Sequence, residues 1–267
     1  MARIDDIFAQ ARTEGRKLLM PFVVGGFPGP GSIGGVLQSL AAAGAAIVEI
    51  GIPFSDPIAD GPVIAQAMHR ALEQGMTPDL VFEEVANVRP HLSIGLVAMV
   101  SVSIVYRMGG PEGFTRQAAS AGFDALIVPD APLEESDGLR SAASKAGLTL
   151  SLLVSPTSPP ARAERIAAAS TGFVYLLART GITGERSTAP EVASRVARLR
   201  EATRLPIACG FGISTPEHVR AVVREGGADA AIVGSTVVRR MTEADEGGRN
   251  AAEEAGALIR ELASGLF

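Results

Sequence analysis

The sequence predicts an α/β fold, a (β/α)8 TIM barrel with an extra N-terminal helix. Three observations carry that expectation. Short, continuous apolar runs occur eight times along the 267 residues, longer amphipathic segments separate them, and glycines fall just past the ends of those segments. Continuous apolar runs suit strands buried on both faces, as in a parallel sheet. Eight strand–helix units joined by right-handed crossovers can close into a barrel, and the length is ordinary for one. Residues 1–267 read as a single domain without a linker or low-complexity tract.

The elements follow in order. Asp5–Glu14 reads as the extra helix. The first strand is Leu18–Val24, followed by the helix Ser32–Ala43, and the second strand is Ile47–Ile50. Pro62–Arg89 is too long for one helix, so a helical pair that includes Val63–Gln74 is expected there. Ile94–Val100 leads to Glu112–Ala121, Ala125–Val128 to Glu134–Ala146, and Leu148–Val154 to Ala161–Ala169. Gly172–Leu177 leads to Glu191–Ala202, and Ile207–Gly210 to Pro216–Glu225. Ala230–Val233 is the last strand, and Leu258–Leu266 closes the chain as a helix. Ser32, Ser136, Thr188 and Thr215 stand where helix caps are wanted. Gly44, Gly75, Gly122, Gly147 and Gly226 stand where a helix end asks for a left-handed residue. An open doubly wound sheet is the alternative. It would show a glycine-rich turn after its first strand, and Gly25-Gly26-Phe27-Pro28-Gly29 does not fit GxGxxG.

Composition excludes several function classes. Hydrophobic residues make up 47% and charged residues 20%, which predicts a globule rather than a disordered chain. Aromatics are 4% and Trp is absent, which leaves little surface on which to stack single-stranded nucleic acid. The net charge is −5 with no Lys/Arg run, which argues against a polyanion partner. The single cysteine, Cys209, allows no internal disulfide and no CxxC metal site, and reads as a small buried hydrophobe. His69, His91 and His218 are scattered without metal-ligand spacing and read as helix-surface or loop residues; no metal is expected. Met1–Asp6 lacks the apolar stretch of a signal peptide, and no apolar run is long enough to span a bilayer, so a soluble cytoplasmic protein is expected.

In barrels of this kind the chemistry sits at the C-terminal ends of the strands, and three segments stand out there. In Val48–Pro62, Glu49 interrupts an apolar strand and Asp60 follows in its loop. Glu49 either pairs with a cation inside the barrel or, unpaired, has a raised pKa fit for proton transfer. Asp56 and Asp60 either cap turns beside Pro57 and Gly61 or help to build a site in which two acids divide labour. The segment Tyr175–Arg186 is rich in Gly and Thr. It is either an ordinary surface loop or one that closes over a ligand, and Tyr175 is either a core aromatic or part of a ligand wall. The third segment joins Gly210–Ser214 to Val233–Val237, after the seventh and eighth strands. Its glycines, Ser235 and the start of a short helix serve either as tight turn and cap or as a phosphate cradle. Lys17 and Lys145 are the only lysines, neither at a predicted strand C-terminus, which argues against an imine-forming aldolase.

Ile47–Pro62 closely resembles the signature of the tryptophan synthase alpha chain family, in which a strand glutamate precedes a G-[IV]-P-F-S-D-P-x-A-D-G-P run. Val128-Pro129-Asp130, Arg179–Gly184, Gly210–Ser214 and Gly234-Ser235 are similar to that family too, and the resemblance covers nearly the whole chain. It implies that Glu49 is the general acid/base and that Asp60 holds the indole N–H. It implies an indole wall of Phe22, Met99, Ile127, Leu153, Tyr175 and Phe211, with Thr183 closing on Asp60. Gly184, Gly212, Gly234 and Ser235 would bind phosphate. The implied reaction is a lyase step in tryptophan biosynthesis, retro-aldol cleavage of indole-3-glycerol phosphate to indole and glyceraldehyde 3-phosphate. It would need no cofactor on this chain. Pyridoxal phosphate would belong to a beta chain partner in an αββα assembly.

The sequence departs from the family's common form at Val24, Phe27, Met68, Ser101 and Ser103, where Thr, Asp, a polar residue, Tyr and Asn are common. These changes bear on the face that meets the beta chain, where Phe27 is expected to add apolar surface and Ser101–Met108 to form a loop. Three other functions remain at this point: a stand-alone lyase that releases indole, a catalytically idle activating subunit, and a different phosphate-binding barrel such as a sugar-phosphate isomerase. Intact Glu49 and Asp60 argue against the idle subunit. The apolar wall at Phe22, Tyr175 and Phe211 argues against the isomerase, whose substrate has no bulky ring to bury.

Overall fold

A computed structural model of the chain describes residues 3–57, 60–178, 192–210 and 212–267. Every strand pairing is parallel. β1 (Leu18–Val24), β2 (Ile47–Gly51), β3 (Gly95–Met99) and β4 (Ala125–Ile127) pair in chain order. β5 (Thr149–Leu150) pairs with β4, whereas β6 (Leu153–Val154) pairs with β7 (Val174–Leu177). β8 (Ile207–Gly210) and β9 (Ala230–Val233) continue the sheet, and β9 returns to β1.

β5 and β6 are the two ends of the fifth apolar run, parted by Ser151 and Leu152. Across the break, Ser151 N donates to Leu126 O at 3.0 Å, and Tyr175 N donates to Leu152 O at 3.1 Å. The run therefore passes its pairing from one neighbour to the other and closes the ring. The eight expected strands are present as nine segments, in the expected barrel order.

The helices lie outside. Ile33–Ala42, Pro62–Glu73, Pro78–Val88, Gly110–Ala121, Asp137–Lys145, Pro160–Ala169 and Ala193–Ala202 sit close to their expected places. Asn250 caps Ala251–Ala263, so the closing helix begins earlier than the sequence suggested. The extra helix Arg3–Thr13 plugs the base of the barrel with Ile4, Phe8 and Ala11. These join the interior cluster of Met20, Ile47, Val97 and Phe173. A larger apolar layer fills the space between the strands and the outer helices. Among the described residues no helix is long and apolar enough to cross a membrane.

Some local expectations need correction. Ser101–Met108 is not a loop: Val102–Arg107 is helical, with Ser101 accepting from Ser103 N. The helix after β9 is not short but runs Ser235–Glu246. Thr215 caps its helix, but Ser32 is already helical in its own backbone and makes no cap, and Ser136 Oγ donates to Leu133 O instead. Gly226 has φ −80°; the left-handed residue is Gly227, at φ +75°. The wider π-helical turn Ala221–Glu225 uses one more residue per turn and moves the end of the helix along by one. His218 lies on a helix as one of the expected settings allowed, but it is buried rather than on the surface. Thr188 lies outside the described residues.

Two bonding patterns at the base repeat. Arg89 donates to Ile94 O and to both oxygens of Asp124, and Asp124 accepts from Leu96 N at 2.8 Å. Arg200 donates to Leu205 O and to Asp229, and Asp229 accepts from Ile207 N at 2.8 Å. Each aspartate immediately precedes a strand, β4 or β9, and returns its own N–H to the carbonyl of the residue that it holds. Burial raises the pKa of Asp124, and the Leu96 N–H and the Arg89 charge oppose that shift.

Candidate active site

A cavity of about 240 Å³ opens at the C-terminal ends of the strands. Glu49 reaches it from β2. Its register partner on β1 is Phe22, and the two side chains enter the cavity together. Neighbouring residues in register on parallel strands point to the same face, so an apolar ring and a carboxyl share one wall. The ring needs room: a Cβ on Gly51 would lie 2.5 Å from Phe22 Cζ.

Glu49 is 0% exposed, and among the described residues neither of its side-chain oxygens has a hydrogen-bond partner. Among the described residues, therefore, no cation forms the internal ion pair that was the alternative. Burial alone drives its pKa from the ordinary 4.5 up to about 8. A group with that pKa can give and take a proton near neutral pH. Asp60 stands at the cavity edge just before the helix Pro62–Glu73, and its own N–H donates to Pro57 O at 3.0 Å. Burial raises its pKa from 3.8 to about 6, so at neutral pH it is mainly a carboxylate. The two acids of one pocket are thus set apart, one protonated and one charged. Asp56 is exposed on the rim and accepts from Ser55 Oγ at 2.6 Å.

Tyr175 and Leu153 are register partners on β7 and β6, and both line the cavity. Burial keeps the Tyr175 phenol protonated well above its ordinary range, and the negative charge of Glu49 adds to that effect. Its hydroxyl rests over Gly210, where a Cβ would stand 2.5 Å away. Met99 lines the cavity from the end of β3. Ile127 does not. It is fully buried in the barrel interior, in a cluster against which Met99 and Leu153 also pack.

Gly212, Gly234 and Ser235 also line the cavity, and Gly234 lies against the Phe22 side chain, where a Cβ would stand 3.5 Å from Phe22 Cβ. Ser235 is the first residue of the helix Ser235–Glu246, whose first-turn N–H groups have no partner one turn back. Gly212 takes φ +80°, which a residue with a side chain rarely adopts. Thr183, Gly184 and Phe211 lie outside the described residues. Among the described residues no group of three or more His, Cys, Asp or Glu could hold a metal. Cys209 is buried, which pushes its thiol up to about 12.

Several wall residues escaped the sequence reading. Ile64 and Met68 lie one turn apart on the same face of Pro62–Glu73, and that spacing was the available signal. Thr236 follows Ser235 directly, and Asp130 ends the similar Val128-Pro129-Asp130 motif; both line the cavity. The departures also find explanations. Phe27 is buried, with the Arg70 guanidinium 5.4 Å from its ring centroid, so it adds no surface to the rim. Ser101 Oγ donates to Asp130 Oδ2 at 2.7 Å, and Val102 N donates to Asp130 Oδ1 at 2.8 Å, so Ser101 is committed to its own helix start.

Known proteins match this chain along nearly its whole length. The tryptophan synthase alpha chain family model matches residues 8–266. The alpha chain of Synechococcus sp. (strain CC9902) is 48% identical over 256 residues, covering 96% of this chain and 94% of the relative. The structure of tryptophan synthase subunit alpha from Legionella pneumophila superposes with a TM-score of 0.88 at 32% identity, covering 100% of this chain and 98% of that one. A chain of the tryptophan synthase a2b2 complex from Pyrococcus furiosus superposes with a TM-score of 0.81 at 32% identity, covering 92% of this chain and 98% of that one. With the strand glutamate, its facing phenylalanine and the helix-start serine of the barrel in the same cavity, and with matches spanning nearly its full length, the chain belongs to the tryptophan synthase alpha chain family.

Proposed function

We propose that this chain is the alpha subunit of a tryptophan synthase and a carbon–carbon lyase that cleaves indole-3-glycerol phosphate into indole and glyceraldehyde 3-phosphate. The observation that carries the reading is Glu49, a fully buried carboxyl inside an apolar cavity, without a hydrogen-bond partner among the described residues. Protonated Glu49 gives its proton to C3 of the indole ring. Positive charge then builds on the ring nitrogen, and the Asp60 carboxylate accepts its N–H. The Glu49 carboxylate takes the proton of the glycerol hydroxyl next to the breaking bond. The C–C electron pair returns to the ring, the C–O bond becomes the aldehyde, and Glu49 ends as it began. The sum is redox-neutral, and no step draws on a cofactor.

Phe22, Met99, Leu153 and Tyr175 hold the ring, and Gly212, Gly234 and Ser235 receive the phosphate at the helix start. By family resemblance, Phe211, Thr183 and Gly184 complete the wall, the contact to Asp60 and the phosphate site. The partner is a beta chain, which carries pyridoxal phosphate, in a cytoplasmic αββα assembly. The a2b2 complex from Pyrococcus furiosus supports that partnership.

A steady-state assay of indole release, with and without a beta chain, tests the reading. Release that the beta chain accelerates supports it. Fast release alone, with no response to a beta chain, assigns a stand-alone lyase. No release under either condition overturns the catalytic assignment and leaves an idle subunit.

A further inference from the structure

The mechanism makes no use of His218, a buried imidazole behind the proposed phosphate wall. It is 4% exposed and sits on the helix Pro216–Arg220, which follows β8 directly. Its Nδ1 accepts from Ser214 N at 3.3 Å, and Ser214 Oγ lies 3.3 Å from the same nitrogen. An Nδ1 that accepts from a backbone N–H uses its one lone pair there, so the ring's N–H is on Nε2. The ring thus ties together the two ends of a short turn: Thr215 Oγ1 accepts from His218 N while His218 Nδ1 holds Ser214.

The turn is tied from its other side as well. Thr236 Oγ1, one residue into the helix that begins at Ser235, donates to Ile213 O at 3.4 Å. Gly212 precedes these two anchored residues in a left-handed backbone and lines the cavity. Such a glycine has several backbone conformations of similar energy. Anchoring Ile213 and Ser214 on its C-terminal side narrows that choice at the cavity wall.

We propose that His218 is a positioning residue for the phosphate end of the substrate. Its Nδ1 accepts from Ser214 N and, with Thr236 on Ile213 O, holds the Gly212–Ser214 backbone against the start of the helix Ser235–Glu246. The inference rests on the reading that this wall binds the substrate phosphate. His218 touches neither substrate nor reacting atoms, so its loss weakens affinity and leaves the chemical step intact.

The test compares His218→Leu, which removes the acceptor, with His218→Gln, which keeps a polar acceptor on a side chain of similar reach. Both are assayed with indole-3-glycerol phosphate and titrated with glycerol 3-phosphate and, separately, with indole. His218→Leu is expected to raise KM and weaken glycerol 3-phosphate binding by about tenfold, the effect of one lost hydrogen bond. Its kcat and its indole affinity are expected to stay within about twofold, and His218→Gln to recover most of the loss. Long-range ¹⁵N correlation spectra of the wild type are expected to show Nδ1 without a proton.

An unchanged KM and glycerol 3-phosphate affinity in His218→Leu overturns the proposal, as does a protonated Nδ1 in the wild type. Equal losses for phosphate and indole also overturn it, because they mean general damage to the fold. If His218→Leu does not fold, the wild-type spectrum and His218→Gln still decide. Failure of the wild type itself to release indole is a different result: it removes the lyase reading before His218 is reached.

Discussion

Phe22 and Glu49 stand side by side on β1 and β2 as register partners, and both end in the cavity. The pairing lays the aromatic wall beside the acid, and it depends on Gly51. A methyl at that position would lie 2.5 Å from Phe22 Cζ. Gly51→Ala is expected to drive the ring into the space for indole and raise KM at least about tenfold, with a loss of stability of about 1–3 kcal/mol from overpacking. Steady-state kinetics and urea unfolding check both effects.

Glu49→Gln is expected to lower kcat by about 10²–10⁴-fold or more, because one group serves more than one proton transfer. Glutamine keeps the shape but carries no mobile proton, so glycerol 3-phosphate should bind as before. A variant that retained half its turnover would remove Glu49 from the chemistry.

The two raised acids imply a bell-shaped pH profile. The carboxylate of Asp60 forms as pH rises through about 6, and the proton of Glu49 is lost as pH rises through about 8. In the free enzyme, kcat/KM is expected to rise through the first value and fall through the second. Asp60→Asn should remove the acid limb along with most of the rate. A profile flat from pH 5 to pH 9 would contradict the division of labour.

Glu49 also links stability to pH. Its folded pKa of about 8 lies above the ordinary 4.5, so between these values the folded chain holds a proton that the unfolded chain has released. Stability attributable to this group is therefore full below about 4.5, is lost as pH rises, and falls no further above about 8. Glu49→Gln should abolish that decline and be more stable than the wild type at pH 8. Urea midpoints at pH 5 and pH 8 for the two proteins measure the difference.

Tyr106 is 65% exposed on the helix Val102–Arg107, whose cap Ser101 lines the cavity. Exposed aromatics commonly anchor interfaces, and this one follows Ser101 and Ser103, where the family resemblance implies the face for a beta chain. Tyr106→Ala should weaken beta chain binding at least about tenfold, while indole release by the isolated chain stays unchanged. Ser101→Tyr, by contrast, would break the contact with Asp130 and cost local stability before any interface could gain. Calorimetric titration separates the two outcomes.

The barrel was legible because its strands are continuous apolar runs, and a parallel strand buried on both faces leaves little else for such a run to be. The break at Ser151–Leu152 was not legible. It comes from handing pairing from β4 to β7, a property of closure rather than of local residues. Glu49 could be singled out because a charge in an apolar run always asks for an explanation. Ile127 carried the same apolar signature as Met99, but nothing local separates a side chain in the barrel interior from one that reaches the cavity. The role of Ser101 was hidden for a similar reason, since its partner Asp130 comes from the next strand–helix unit.

The Arg89–Asp124 and Arg200–Asp229 arrangements stand on opposite sides of the ring, before β4 and before β9. A half-turn about the barrel axis carries one onto the other. Arginine maps on arginine, Ile94 carbonyl on Leu205 carbonyl, aspartate on aspartate, and Leu96 N–H on Ile207 N–H. The arginine-to-carbonyl offset along the chain is the same in both. Hidden twofold symmetry of this kind is the trace that doubling of a four-strand ancestor would leave. The repeat lies at the base, where the bonding holds strands together, whereas the mouth carries the cavity.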